Sequence, residues 1–285
     1  MPTSLLLCHP ELVEPGLTTP CRTTSGRSAW SPVAKWSQAC GTGLSVRGVL
    51  THRLDLEDAT LREWDATVLH SDPEGLVLDC SAFYPGGGGQ PPDEGVLLWG
   101  GVLTRIVGTL RGDQQYLLPA EGDPLPPVGT SVRGAVDDPR RTALMRTHSA
   151  MHLLCGVVSR DHQVTVTGGS MDILSGRMDF GLDVLPINFL DTVQQACLVE
   201  IAADRRIEVA SLPYAQAMAG DIIKTATNLL PEGLEQVRIV DIVGLDRQAD
   251  GGTHVASTAF IGGMRVVKTE SKGKGFRRLR FTLKP

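Results

Sequence analysis

Seven histidines occur in the chain, and three of them fall in two short segments with a common chemistry. His148 and His152 are four residues apart. On a helix, at about 100° per residue, both rings leave one face a single turn apart and can reach one divalent ion. Such a pair arises by chance on helix surfaces about as often as it binds metal, so the second segment decides. It reads Asp250-Gly251-Gly252-Thr253-His254. Its two glycines permit a tight turn that carries Asp250 and His254 toward one point. The bland alternative for His254 is a glycine-rich turn whose histidine caps a strand. Imidazole and carboxylate suit Zn2+, and three or four protein ligands with one open position make a catalytic site rather than a structural one. His148, His152, Asp250 and His254 are the expected ligands.

The histidine pair needs a helix, and the sequence supplies one. Asp138 reads as its N-cap and Pro139 as a first-turn residue, with the helix running to about Ser159. A second helix is expected over residues 188–203, where Leu190, Val193, Cys197 and Ile201 recur at helical spacing. Strands are expected around Ile207–Ala210 and Gln236–Ile242, with a hairpin over 262–270 and 277–283 on the sheet edge. Upstream, residues 51–137 hold short apolar runs: 66–70, 75–79, 95–99, 102–107 and 115–118. Glycines 86–89 and several prolines punctuate them, which suggests a small barrel or sandwich. Strands and helices that do not strictly alternate favour an α+β fold.

A chain of 285 residues accommodates two domains. The expected division is 1–48 as a disordered, proline- and serine-rich extension, 49–137 as a glycine-rich β domain, and 138–285 as the metal-binding domain. No apolar run reaches 18 residues, so no membrane partner is expected. The six cysteines are scattered without a Cys-x-x-Cys pair, in a chain too large to need disulfide staples, which fits a reducing cytoplasm. The net charge is −5, so any nucleic-acid contact must come from a local patch. One exists: Lys268, Lys272, Lys274, Arg277, Arg278 and Arg280 lie within thirteen residues, interrupted only by Glu270. A charge run is usually a solvated face. In an acidic protein, this one is the expected phosphate-backbone contact, with Lys272, Lys274, Arg277 and Arg278 at its centre. The four glycines before Gln90 lack the Lys-Ser/Thr ending of an ATPase phosphate loop, so no ATP chemistry is expected there.

Three segments carry a family resemblance: Phe83-Tyr-Pro-Gly-Gly-Gly-Gly-Gln90, Thr147-His-Ser-Ala-Met-His-Leu-Leu154 and Gln248-Ala-Asp-Gly-Gly-Thr-His-Val255. Together they resemble the alanyl-tRNA editing proteins, the AlaX family in its two-domain form. These are freestanding relatives of the alanyl-tRNA synthetase editing domain, which is shared in part with threonyl-tRNA synthetase. The resemblance extends to residues 54–65, 177–180 and 272–278, and so covers about 50–285 in order. It implies a barrel-like glycine-rich domain followed by a two-layer editing domain with a mainly antiparallel sheet.

It also implies a reaction: hydrolysis of the ester joining a wrong amino acid to tRNA(Ala), chiefly serine, with glycine second. The loop carrying Gly87, Gly88, Gly89 and Gln90 would then face the editing pocket and contact the aminoacyl end or the terminal adenosine. Gln90 and Thr253 are the candidates for positioning substrate. Serine exceeds alanine by one hydroxyl, and a site that hydrogen-bonds this hydroxyl rejects alanine better than an apolar pocket can. One departure stands out, because the family usually has cysteine where this chain has Asp250. Carboxylate binds zinc at much the same distance but less selectively than thiolate. Asp250 is therefore a ligand, a holder of metal-bound water, or a support behind a ligand, and ligation is the favoured expectation. The competing functions are a noncatalytic tRNA-binding module and a metal-dependent hydrolase of small esters. A full synthetase is not expected, since signature motifs of an adenylation domain are missing. The oligomeric state is left open, with a monomer favoured.

Overall fold

The computed structural model describes residues 50–111, 114–219, 222 and 234–285. The expectation of a disordered extension over 1–48 lies outside them. The described chain opens with β1 (His52–Arg53), the one-turn α1 (Leu54–Glu57), β2 (Glu63–Asp72), β3 (Gly75–Leu78) and β4 (Cys80–Ser81). After the glycine-rich loop come β5 (Gly95–Trp99), β6 (Val102–Arg111), β7 (Gln115–Pro119) and β8 (Ser131–Val136). Six of these strands close into a barrel in the order β2-β3-β7-β6-β5-β8. Trp64, Ala66 and Val68 on β2 face inward while Glu63 and Asp65 face out, the period of two that a strand with one buried side requires. β8 escaped the sequence reading because Gly134 sits in its middle and looks like a break. Here the glycine leaves room for a ring: a Cβ at 134 would lie 2.4 Å from the Trp64 indole.

The remainder is built around α2 (Asp138–His162), followed by β9 (Val166–Asp172), β10 (Ser175–Phe180), α3 (Phe189–Ala202), β11 (Ile207–Pro213) and α4 (Tyr214–Met218). β12 (Gln236–Ile242), β13 (Asp246–Ala249), a 3-10 turn over Thr258–Ile261, β14 (Met264–Ser271) and β15 (Arg277–Leu283) complete it. Two antiparallel sheets result, one ordered β14-β15-β10-β9 and one ordered β11-β12-β13. With the barrel, this is the α+β architecture expected. The pair β14–β15 forms the predicted hairpin, and β14 is the sheet edge. β9 and β10 were not read as strands, because Gly168, Gly169 and Gly176 interrupt their apolar pattern. Gly169 and Gly176 are small for a reason: their Cβ atoms would lie 2.9 Å from Met151 Cε and 2.6 Å from the Phe281 ring.

α2 is the central element. Its N-cap is Asp137 rather than Asp138: the Asp137 carboxylate accepts from Arg140 N at 3.0 Å, which moves Pro139 to the second helical position. It runs three residues beyond the expected Ser159, to His162, and is capped by Gln163 in the left-handed conformation. Leu144, Leu153, Leu154, Val157 and Val158 are fully buried against the four-stranded sheet and α3, so packing rather than an amphipathic stripe holds this helix. Near its start, Arg141 binds the barrel. Its guanidinium reaches Asp93 through Nε (3.0 and 2.9 Å) and Nη2, and it donates to Ala82 O and Ala59 O. Both partners of the pair are fully buried. A buried pair of this kind is kept only when its hydrogen bonds are complete, and these fix the barrel against α2.

Cys80 is buried in the barrel core, and Cys155 and Cys197 are buried in the core around α2. Among the described residues no helix is long and apolar enough to cross a membrane.

Candidate metal centre

His148 and His152 leave the same face of α2, one turn apart, with ring centroids 5.2 Å from each other. The turn after β13 brings the other two residues. Asp250 N donates to Arg238 O, and Arg238 Nη1 returns to Asp250 O at 2.9 Å, which ties the start of the turn to β12. The Asp250 side chain accepts from Gly252 N at 2.6 Å, a local turn that this short carboxylate suits. Gly252 is required there, since a Cβ would fall 2.2 Å from the His148 ring. His254 then lies 4.5 Å from His148 and 4.8 Å from His152, centroid to centroid.

One ligand atom from each of His148, His152, Asp250 and His254 lies within 4.8 Å of all the others. His148 Nε2 is 3.6 Å from Asp250 Oδ1, and His254 Nε2 is 3.1 Å from Asp250 Oδ2. A tetrahedral zinc site with bonds of about 2.1 Å has edges of roughly 3.4 Å, and the His148 separation to Oδ1 lies close to that value. The donor chemistry and spacing fit zinc. Oδ2 is also occupied by Gly252 N, which leaves Oδ1 as the oxygen free to ligate.

Behind each imidazole stands a second partner. His148 Nδ1 meets Gln90 Oε1 at 2.9 Å, and His254 Nδ1 meets Ser149 Oγ at 3.2 Å. His152 Nδ1 is 3.4 Å from Asp246 Oδ2. That last contact is electrostatic rather than a full hydrogen bond: His152 Nδ1 and Asp246 Oδ1 both lack a hydrogen-bond partner among the described residues. His148 and His254 thus turn Nε2 toward Asp250 while Nδ1 is backed by a second partner, an arrangement common among metal-binding histidines. Ser149, Asp246 and Arg238 were not singled out from sequence. Ser149 had only its place beside His148 as a signal, and Asp246 only its carboxylate four residues before Asp250. Asp246 comes close because Gly156 on α2 has no side chain: a Cβ there would lie 2.8 Å from Asp246 Cβ.

Burial pushes the His148 pKa down to about 4, and it lowers His254 well below its ordinary value, helped by the neighbouring His148. Burial acts on His152 in the same sense, but the Asp246 and Asp250 carboxylates outweigh it and raise that pKa. Burial would raise Asp250, yet the surrounding histidines hold it well below the carboxylate range. Two neutral imidazoles and an ionised carboxylate are the protonation states that bind a cation.

The glycine-rich loop reaches this centre. Gly88 lies against Asp250, its absent Cβ 3.4 Å from Oδ1, and Gly89 O accepts from Met171 N on β9. Gln90 is buried, with its side chain on His148 and on Thr253. Gly87, by contrast, is taken up within the loop, where its carbonyl accepts from the Tyr84 hydroxyl and from Gln90 N.

The basic cluster is separate from the metal centre and is not uniform. Lys272 and Lys274 stand exposed in the β14–β15 turn. Arg277 donates to Asp183 O at 2.7 Å, and Arg278 is bound through two 2.6 Å contacts to Asp179. Lys268 and Arg280 both pair with Glu270. Arg278 lines up with Asp179 and then with Gly168 across the sheet, two strand spacings or about 10 Å. Gly169, the next residue, touches the glycine-rich loop at Gly89. The hairpin turn and the loop thus lie toward one end of the same sheet.

The family described as threonyl and alanyl tRNA synthetase second additional domain matches residues 237–280. An alanyl-tRNA editing protein, AlaX-M, of Saccharolobus solfataricus is 31% identical over 83% of this chain and 100% of its own length. The protein of that name from Methanosarcina mazei is 30% identical over 82% of the chain and 97% of its own length. An alanine–tRNA ligase of Pyrobaculum neutrophilum is 34% identical over 81% of the chain, which spans 27% of that larger enzyme.

Proposed function

We propose, because the chain belongs to the family of alanyl-tRNA editing proteins, that it deacylates mischarged tRNA(Ala), chiefly Ser-tRNA(Ala) with Gly-tRNA(Ala) second, at a zinc site. One observation carries this reading: three buried imidazoles and a carboxylate converge within 4.8 Å, with Gly88 of the glycine-rich loop directly against the carboxylate. His148, His152, His254 and Asp250 would hold the ion, with Asp250 in the place of a thiolate. A zinc ion held there would supply Lewis acidity to the ester carbonyl or to the attacking water.

The chain's own residues would do the rest. Thr253 Oγ1 accepts from Gln90 Nε2 at 2.8 Å, so the hydroxyl hydrogen stays available to donate to the aminoacyl end. Gly88 and Gly89 would let the ester and the terminal ribose approach without steric conflict. Lys272 and Lys274 would contact the acceptor-stem phosphates, with Arg277 beside them. We divide the chain for this task into a barrel domain, 49–137, that carries the loop and an editing domain, 138–285, that carries the ligands. Its place would be the cytoplasm, where tRNA is charged, and one protomer would suffice.

The test is zinc content measured together with deacylation of Ser-tRNA(Ala) by the purified chain. Stoichiometric zinc and chelator-sensitive deacylation are expected. Equal activity on a small seryl ester would favour a general esterase, and tRNA binding without hydrolysis would favour a binding module.

A further inference from the structure

The glycine-rich loop is held more firmly than a substrate-binding flap would need. Gly86, Gly87, Gly88 and Gly89 all have positive φ (81, 127, 57 and 89°), a path that side chains would strain. Gly87 N donates to Gln90 O at 3.0 Å and Gln90 N to Gly87 O at 2.9 Å, closing the loop on itself. Asp93, three residues on, accepts from Tyr84 N at 2.7 Å and is gripped by Arg141. Arg141 lies on α2 seven residues, or two turns, before His148. One helix therefore carries both the anchor of the loop and the ligand that the loop touches.

Gln90 makes three contacts with one carboxamide, and their chemistry has a single solution. Thr253 N is a peptide N–H and can only donate, so the atom 3.1 Å from it must be the amide oxygen. That oxygen also lies 2.9 Å from His148 Nδ1, which must therefore carry the hydrogen. The remaining NH2 donates to Thr253 Oγ1 at 2.8 Å, consistent with the same orientation. A backbone amide thus sets the glutamine, and the glutamine sets the histidine tautomer. With Nδ1 protonated, His148 Nε2 presents its lone pair toward Asp250 Oδ1. His254 differs: its Nε2 faces the Asp250 carboxylate and is backed only by a hydroxyl, which can donate or accept.

We infer that Gln90 is a positioning residue of the metal centre, reaching in from the barrel to hold His148 in its metal-binding tautomer and to fix Thr253. Its effect on substrate passes through those two residues. The barrel, on this account, is required for the affinity of a site to which it contributes no ligand.

The inference rests on the zinc reading in one respect only, and two measurements separate them. Zinc dissociation constants are taken by competition with a chromophoric chelator for the wild-type chain, Gln90→Leu and Gln90→Glu. Gln90→Leu should weaken zinc 10–100-fold, the usual range for removing a hydrogen-bond partner behind a ligand. Gln90→Glu should stay within about threefold of wild type, because a carboxylate still accepts from His148 Nδ1 and Thr253 N. An unchanged constant for Gln90→Leu overturns the inference, and so does equal weakening in both variants, which would mean general loosening of the loop. A wild-type chain that binds no zinc sinks the metal reading instead. The second measurement needs no variant of Gln90. A long-range proton–nitrogen spectrum of the metal-free chain, with His148 assigned through His148→Ala, should show the Nδ1–H tautomer. An Nε2–H tautomer overturns the role of Gln90 whether or not zinc binds.

Discussion

In the candidate metal centre every histidine has a side chain behind its ring, whereas in the C-terminal basic cluster the cations pair with a nearby carboxylate, reach a backbone carbonyl as Arg277 does, or stand in solvent. Gln90, Ser149 and Asp246 come from three different parts of the chain to back His148, His254 and His152. Lys268, Arg278 and Arg280 instead meet Glu270 and Asp179, residues of the same sheet, while Lys272 and Lys274 are exposed. The difference follows from solvent. A buried polar atom without a partner is costly, so the interior backs His148 and His254 with hydrogen bonds of defined geometry and places a carboxylate beside His152. An exposed cation is already solvated, needs no fixed partner, and acts through charge that salt can screen.

Breaking a ligand tests the first half of that contrast most severely. His148→Ala or His254→Ala should abolish stoichiometric zinc and with it deacylation; either variant retaining one zinc per chain by elemental analysis would refute the assigned ligands. Next in size is the network behind them. Asp246→Asn should weaken zinc by about 10–100-fold in a chelator titration while leaving the ligand set intact. An effect below threefold would mean that the 3.4 Å approach to His152 has no bearing on the metal.

Asp250→Cys sharpens the question of the fourth corner. If Oδ1 ligates, the thiolate should bind zinc more tightly and shift competition against harder cations toward zinc. Indifference of the constant would place Asp250 behind the ligands rather than among them.

Acid should reveal the burial of the histidines. Their folded pKa values are lowered for His148 (to about 4) and His254, so in the window from about 6.5 down to 4 the unfolded chain binds protons that the folded chain refuses. Stability of the metal-free protein should therefore fall as pH falls through that window. The raised pKa of His152 opposes the trend, but it is one residue against two. Thermal melts between pH 7 and 4 that stay level would contradict the lowered values.

The smallest effect is expected at the surface. Lys272→Ala with Lys274→Ala should weaken tRNA binding and reduce the slope of log affinity against log salt by roughly 0.7–0.9 per residue. Arg278→Ala should change the slope less and lower thermal stability more, since its guanidinium is committed to Asp179. A slope unaltered by the lysine pair would remove the hairpin turn from the tRNA path.

Several features could be read directly because they are local. The helix carrying His148 and His152 follows from a capping aspartate, a proline and apolar spacing, and the i, i+4 relation fixes a shared face. The Asp250–His254 turn follows from two glycines, and the terminal hairpin from its two runs around Lys272-Gly-Lys-Gly. Even here Asp137 took the cap from Asp138, because the choice between adjacent aspartates depends on which one can reach Arg140 N. β8, β9 and β10 were hidden for a different reason. Their glycines mark close approach of Trp64, Met151 and Phe281, and residues far away in the chain decide that.

The types and local spacing of the candidate ligands were thus determined by the sequence itself, since helical periodicity and glycine turns need no distant partner. Which oxygen of Asp250 is free, that Asp246 and Ser149 stand behind the histidines, and that Gln90 orients His148 across 58 residues were decided only by the tertiary structure. Each depends on elements brought within hydrogen-bonding distance by core packing, and a contact across a folded core leaves no periodic trace along the chain.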